Sequence, residues 1–231
     1  MTLSVEIDPN MVEITVWTRG VTLAKEARDV ATLLAAAGAS EGKYTQSFDN
    51  YVDLPDRIGV ACKSYARISP EPIQTFYEYE NGHHDVIVLA EETLIKGQHY
   101  LDGAKPECVV VVNSAREPEA LLRWFEPAES LPLVKALACI DANSFGAGVT
   151  LTFDGTEGAA DDTKIGAGVG AAVAGAAAKA SGCVKLESLL AAADNKKAVQ
   201  EGWDQVRVLP FCDGKPYACE TPSDPQEIGW R

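Results

Sequence analysis

No stretch of about 18 apolar residues, the length that spans a bilayer, occurs in these 231 residues. The opening MTLSVEIDPNM has neither the basic start nor the apolar centre of a secretory leader. Membrane insertion is therefore not expected, and the expected location is the cytoplasm. Basic side chains are scarce: 20 Lys and Arg against 34 Asp and Glu leave a formal charge of −14, which repels a phosphate backbone at long range. Nucleic acid is excluded as an expected partner. There is no CxxC, no GxSxG elbow and no internal repeat. The six cysteines at 62, 108, 139, 183, 212 and 219, with three histidines, match no zinc or iron–sulfur spacing. Cys62, Cys108, Cys139 and Cys183 sit among apolar or small neighbours and read as buried thiols. Cys212 and Cys219 flank an Asp213-Gly214-Lys215-Pro216 turn, where a reducing cytoplasm disfavours a disulfide.

What remains is an ordinary globular composition, 46% hydrophobic and 23% charged, in a chain long enough for one large domain or two small ones. Val12, Ile14 and Val16 alternate with Glu13 and Thr15, the period of a strand. From Val21 to Ala37 the period changes: Leu23, Ala27, Val30 and Leu34 form one face and Lys25, Glu26, Arg28 and Asp29 the other, as an amphipathic helix requires. Gly38 is expected to stop that helix. Asp49 to Arg57 reads as loop and Ile58 to Ile68 as a second extended segment. Val86 to Ala90 and Cys108 to Val112 are unbroken β-branched runs, suited to central strands of a parallel sheet. Leu131 to Ile140 is a further strand. Thr163 to Ala180, almost all Ala, Gly and Val, predicts a buried, closely packed helix, followed by helices at Lys185 to Ala193 and Lys196 to Gln205. The expectation is an α/β single domain over 1–209, a mostly parallel sheet flanked by helices, with an extended Pro-rich C-terminal tail over 210–231.

In open α/β sheets, ligands sit beyond the carboxyl ends of the strands. Arg19 and Gly20 follow the first strand, where amides of the next helix would face an anion and Arg would add charge. Asn113 follows the Val109 run. A polar loop holds Asp49, Tyr51, Asp53, Asp56 and Arg57. Gly166-Ala167-Gly168-Val169-Gly170-Ala171 satisfies GxGxxA, but Gly158 to Lys164 before it is small and charged rather than an apolar strand. Close helix packing is therefore the preferred reading there, with a nucleotide-binding (NAD or FAD) module as the alternative. His83 and His84 in Asn81-Gly82-His83-His84 read as a solvated turn. No catalytic set is complete within the chain.

Several segments, in order, carry a resemblance: the first strand with Arg19-Gly20 and its helix; Tyr44-Thr45-Gln46-Ser47-Phe48-Asp49-Asn50-Tyr51; Arg57-Ile58-Gly59-Val60 leading into Ala66-Arg67-Ile68-Ser69 and Pro72-Ile73; Asp85-Val86-Ile87-Val88-Leu89; Val109-Val110-Val111-Val112-Asn113; and the Gly170-Ala171 to Val199 region. Over about residues 12–205 this order resembles the gamma subunit of the 2-oxoacid:acceptor oxidoreductases, among them the pyruvate/ketoisovalerate:ferredoxin enzymes. The resemblance implies a subunit inactive alone, in a complex with alpha, beta and ferredoxin-like delta subunits. Those partners would hold thiamine diphosphate, Mg²⁺ and [4Fe–4S] clusters, with none bound by this chain alone. The substrate would be a 2-oxoacid such as pyruvate, phenylglyoxylate or oxalate. It also implies cofactor-contacting roles for Arg19, Gly20, Tyr51, Arg57 and Asn113, and no catalytic or metal-ligating residue here. The family's Arg-Gly-Gly-Gln-Gly turn is reduced to Arg19-Gly20, followed by Val21-Thr22-Leu23, and its Tyr-Gly-x-Glu-x-Arg-Gly run is reduced to Tyr51, Arg57 and Gly59. With those glycines gone, weak or absent coenzyme A contact is expected. A purely structural assembly subunit, its tail wrapping a partner, is the remaining alternative.

Overall fold

A computed structural model describes residues 8–49, 61–74, 80–125, 131–145, 168–212 and 215–216, and the side chains of 20–27 are not described. Strands β1 (Val12–Arg19), β2 (Tyr44–Asp49), β3 (Ala61–Ser69), β4 (His84–Leu89), β5 (Ala104–Asn113), β6 (Val134–Ile140), β7 (Arg207–Cys212) and β8 (Lys215–Pro216) form one sheet in the order β2-β3-β1-β4-β5-β6-β7-β8. The four neighbours β1, β4, β5 and β6 run parallel; β3 and β7 flank them antiparallel, and β2 and β8 pair antiparallel with β3 and β7 in turn. The expected α/β domain is present, with its parallel pairing confined to the centre. β4 and β5 are central because Val86 to Leu89 and Val109 to Val112 bury both faces, as their unbroken apolar runs require.

The helices are α1 (Gly20–Ser40), a single turn α2 (Pro118–Leu121), α3 (Val169–Ser181), α4 (Leu186–Ala192) and α5 (Lys196–Gln205). One face of the sheet, built by Ile14, Val16, Ala66, Ile68, Val88 and Val111, packs under α1 and α3, and α4 and α5 close around these two helices. The small side chains of α3 serve the expected close packing. A Cβ on Gly175 would lie 2.2 Å from the Val199 carbonyl oxygen of α5, and one on Gly202 of α5 would lie 1.9 Å from the Ala172 oxygen of α3. The opposite face carries no long helix among the described residues. Trp17, Ile87, Leu89, Val110 and Leu137 are instead covered by Leu94, Ile95, Tyr100, Leu101 and Leu121 from short turns. There Phe125 meets Tyr100 edge to face and Phe211 at a tilt, at centroid distances of 5.9 and 5.8 Å.

Four sequence expectations need correction. Gly38 does not stop α1, which runs on to Ser40. A Cβ at Gly38 would sit 2.9 Å from Ile68, so this glycine permits close helix–strand approach, and the left-handed residue is Gly42, at φ 79°. Strand β2 occupies the unassigned stretch from Tyr44 and takes in Asp49, a residue expected to open a loop. Strand β6 starts only at Val134, after a 3₁₀ turn at Leu131–Leu133. Cys62 is half-buried rather than buried. Pro210, the start of the expected tail, pairs with Ala136 of β6, and Phe211 and Cys212 extend β7 to pair with β8. Cys219 and the rest of the tail lie outside the described residues.

Candidate functional site

β1 passes directly into α1, since Arg19 is the last strand residue and Gly20 the first helical one. Arg19 occupies the N-cap with extended angles (φ −129°, ψ 127°), and its guanidinium has no acceptor with which to cap the helix. Its Nε lies 3.5 Å from Glu91 Oε2, both side chains about one-third exposed. Asn113 ends β5 two strands away on the same edge. It is buried, and its amide ties three strand ends together: Nδ2 donates to the Ala90 carbonyl (3.1 Å) and to Asn143 Oδ1 (3.4 Å), while Oδ1 accepts from the Ala142 amide (3.0 Å). Arg19, Gly20 and Asn113 thus share the carboxyl edge of the parallel strands, on either side of the Ala90-Glu91 segment. Tyr51 and Arg57 lie outside the described residues, as do Gly166 and Ala167. Gly168 is the N-cap of α3, and Gly170 and Ala171 form its first turn inside the packed layer.

The sequence reading missed the ionic cluster that completes this edge. Glu92 accepts hydrogen bonds from Ser114 Oγ and from Arg116 Nε (2.8 Å). Partial burial works to raise the Glu92 carboxyl, but those two hydrogen bonds, with the fields of Arg116 and Lys96, hold it below the usual carboxylate range. Arg207 of β7 donates to the Ser114 carbonyl (2.9 Å) and to Glu117 (2.9 Å). The available signal was the pairing of Glu91-Glu92 after β4 with Ser114-Ala115-Arg116 after β5, two segments that parallel neighbouring strands must bring together.

A second polar cluster lies at the opposite, amino end of the same strands. Arg67 is fully buried in the sheet. It donates to Asn81 Oδ1 (3.0 Å), the Glu80 carbonyl (3.0 Å) and Gln46 Oε1 (3.3 Å), and stacks 4.9 Å from the Phe48 centroid. Asn81 donates to the Ile14 carbonyl (3.1 Å) and to Thr15 Oγ1 (3.4 Å), and Thr15 Oγ1 lies 2.8 Å from His84 Nδ1. Which of Thr15 Oγ1 and His84 Nδ1 donates is set by the ring tautomer. Burial, with Lys63 nearby, depresses His84 to about 4. Beside it, Lys105 Nζ contacts Asp85 (2.9 Å), Glu13 (3.0 Å) and the Met11 carbonyl (2.7 Å). Burial raises the Glu13 carboxyl despite its hydrogen bond from Lys105. Asn81 and His84 are therefore buried network members, not a solvated turn, because distant strand residues supply their partners.

The donor set among the described residues does not fit a metal ion or an iron–sulfur cluster. Among the described residues no group of three His, Cys, Asp or Glu side chains is placed to hold a metal. Burial pushes the Cys139 thiol up to about 12 and raises Cys108 and Cys183 as well, so these sulfurs stay protonated and are poor ligands. No helix among the described residues is long and apolar enough to cross a membrane.

The sequence pattern of the pyruvate ferredoxin/flavodoxin oxidoreductase family matches residues 29–205. The chain belongs to that family. It is similar to the pyruvate/ketoisovalerate oxidoreductases common subunit gamma of Pyrococcus abyssi, 30% identical over 210 residues that cover 86% of this chain and 99% of that protein. The Pyrococcus furiosus protein of the same name is 28% identical over 193 residues, covering 78% and 90%. Among solved structures, the pyruvate oxidoreductase subunit PORC of Thermotoga maritima shares the fold, with a TM-score of 0.59 at 21% identity over 86% of this chain and 98% of that one. The resemblance drawn from segment order is thus borne out, and these relatives are subunits of oxidoreductases. In this family member the matched stretch starts inside α1, so Arg19 and Gly20 precede it.

Proposed function

We propose that the chain is the gamma subunit of a cytoplasmic thiamine diphosphate-dependent, iron–sulfur 2-oxoacid:acceptor oxidoreductase that oxidatively decarboxylates pyruvate, phenylglyoxylate, oxalate or a similar acid. It acts as a rigid scaffold or gate beside alpha, beta and ferredoxin-like delta subunits, which carry thiamine diphosphate, Mg²⁺ and [4Fe–4S] clusters. The observation that carries this reading is the near full-length similarity to proteins named as gamma subunits, joined to a chain whose described residues supply no cluster ligands. The residues proposed to face the cofactors are Arg19, Gly20, Tyr51, Arg57 and Asn113. Arg19 and Gly20 offer one positive charge and a helix start; Asn113, its amide engaged by the protein, shapes the edge. The passage from β1 straight into α1, with no glycine-rich loop between, supports weak or absent coenzyme A contact at this place.

The test is purification of the tagged chain with and without co-expressed neighbouring subunits. A brown, iron-bearing complex containing thiamine diphosphate, active in 2-oxoacid-dependent dye reduction, is expected from the co-expression, and no activity from the chain alone. Turnover by the isolated chain, or recovery of no other subunit, overturns the reading.

A further inference from the structure

At the corner where the carboxyl edge meets the face without long helices, three cations converge on one indole. Trp124, closing the 3₁₀ turn Leu122–Trp124, has Arg123 Cζ 3.9 Å, Lys96 Nζ 4.3 Å and Arg116 Cζ 5.3 Å from its ring centroid. The negative ring face offsets part of their mutual repulsion, and Arg116 is further answered by Glu92 at 2.8 Å. Lys96 and Arg123 are exposed and have no carboxylate within ion-pair distance among the described residues. This in a chain of net charge −14 makes the corner a local exception. With Arg123 held over the ring and no carboxylate paired to it among the described residues, its guanidinium N–H groups can fork onto a carboxylate brought by a partner. Holding the cation against the ring also removes part of the ordering cost of binding.

We propose that the Trp124 corner, through Lys96 and Arg123, docks an acidic segment of another subunit of the oxidoreductase, an inference that rests on the chain's place in such a complex. A protein is favoured over a nucleic acid because the chain's overall charge repels a long polyanion, whereas a short acidic segment meets chiefly the local field. Trp and Arg are also the residue types that dominate protein–protein contacts.

The test uses the co-expressed complex treated with a zero-length carbodiimide, which joins an amine to a carboxylate in contact with it. Lys96 is expected to link to an Asp or Glu of another subunit. The double variant Lys96→Glu/Arg123→Glu, both sites exposed, is expected to fold and to hold its partner about tenfold more weakly, with the difference shrinking at high salt. Lys179→Glu, on the opposite, helical face, should change nothing. The proposal is overturned if Lys96 links only to carboxylates of its own chain, if the double variant retains its partner as wild type does, or if the anion lost by the variant is co-purifying nucleic acid. Failure of the wild-type chain to recover any subunit defeats the functional reading and the docking together; normal assembly of the double variant defeats the docking alone.

Discussion

Replacing His84 by Asn removes a titrating group from the buried network while leaving an amide able to accept from Thr15. In the folded chain burial and Lys63 depress this imidazole from 6.5 to about 4, so it stays neutral where an unfolded histidine takes up a proton. Stability rises with pH wherever the unfolded state binds more protons. The His84 contribution is therefore fully present above 6.5 and is lost as pH falls towards about 4. At about 1.4 kcal/mol per pH unit the loss sums to about 3 kcal/mol, a large share of a typical folding free energy of roughly 5–15 kcal/mol. Glu13 works in the opposite sense: its raised carboxyl contributes stability below the ordinary 4.5 that is lost as pH rises through the folded value. Glu13 is present in both proteins, so it cancels in their difference. Urea unfolding of wild type and His84→Asn across this range should show the wild-type advantage shrinking by about 3 kcal/mol on acidification. Parallel pH profiles, or an NMR titration of His84 centred near its ordinary value, would refute the burial argument.

The two glycine roles separate by substitution: Gly202→Ala forces α3 and α5 apart and should cost about 3 kcal/mol, whereas Gly42→Ala, with nothing within 4 Å but a φ of 79°, should cost only about 1 kcal/mol of backbone strain, both read by thermal unfolding. Lys105→Met leaves Glu13 without its buried partner and should destabilise by about 3–5 kcal/mol, with Glu13→Gln in the same chain recovering much of it; a fully additive pair would show that the ion pair is not coupled. Asn113→Ala strands the Ala142 amide and should cost about 2 kcal/mol in the isolated chain, while Arg19→Ala, losing a partly exposed pair, should cost less than about 1 kcal/mol and alter turnover only in the assembled complex. Equal destabilisation by both would make Arg19 part of the scaffold.

The centre of the fold was legible because local pattern and burial agree there. Val86 to Leu89 and Val109 to Val112 are β-branched runs whose neighbours cover both faces, and α1 shows its stripe in Val30, Leu34 and Ala37. Strand β2 was not legible, since Tyr44-Thr45-Gln46-Ser47-Phe48-Asp49 lies at the sheet edge, half-exposed on both sides, with no apolar alternation to report it. Gly38 was misread because a glycine near a helix end signals a left-handed stop and a close approach equally well, and only Ile68 across the gap decides between them. The same limit governed the polar residues. Arg19, Gly20 and Asn113 follow from strand ends, which sequence locates. The burial of Asn81 and His84 depends on Arg67 and Thr15 from other strands, and no local pattern encodes such partners.

The sheet's two ends divide the work by burial. At the amino end Glu13, Lys105, His84 and Arg67 are nearly or fully buried, so each charge or ring there must be satisfied by the fold itself, and a change of protonation is felt as stability. At the carboxyl edge Arg19, Glu91, Glu92 and Arg116 are only partly covered, so their pairs contribute little to folding and can exchange partners at little cost. The buried network fixes the strand ends, and Asn113 carries that order to the opposite edge. The exposed charges there are thereby held on a rigid frame, which is what the proposed contact with neighbouring subunits would need.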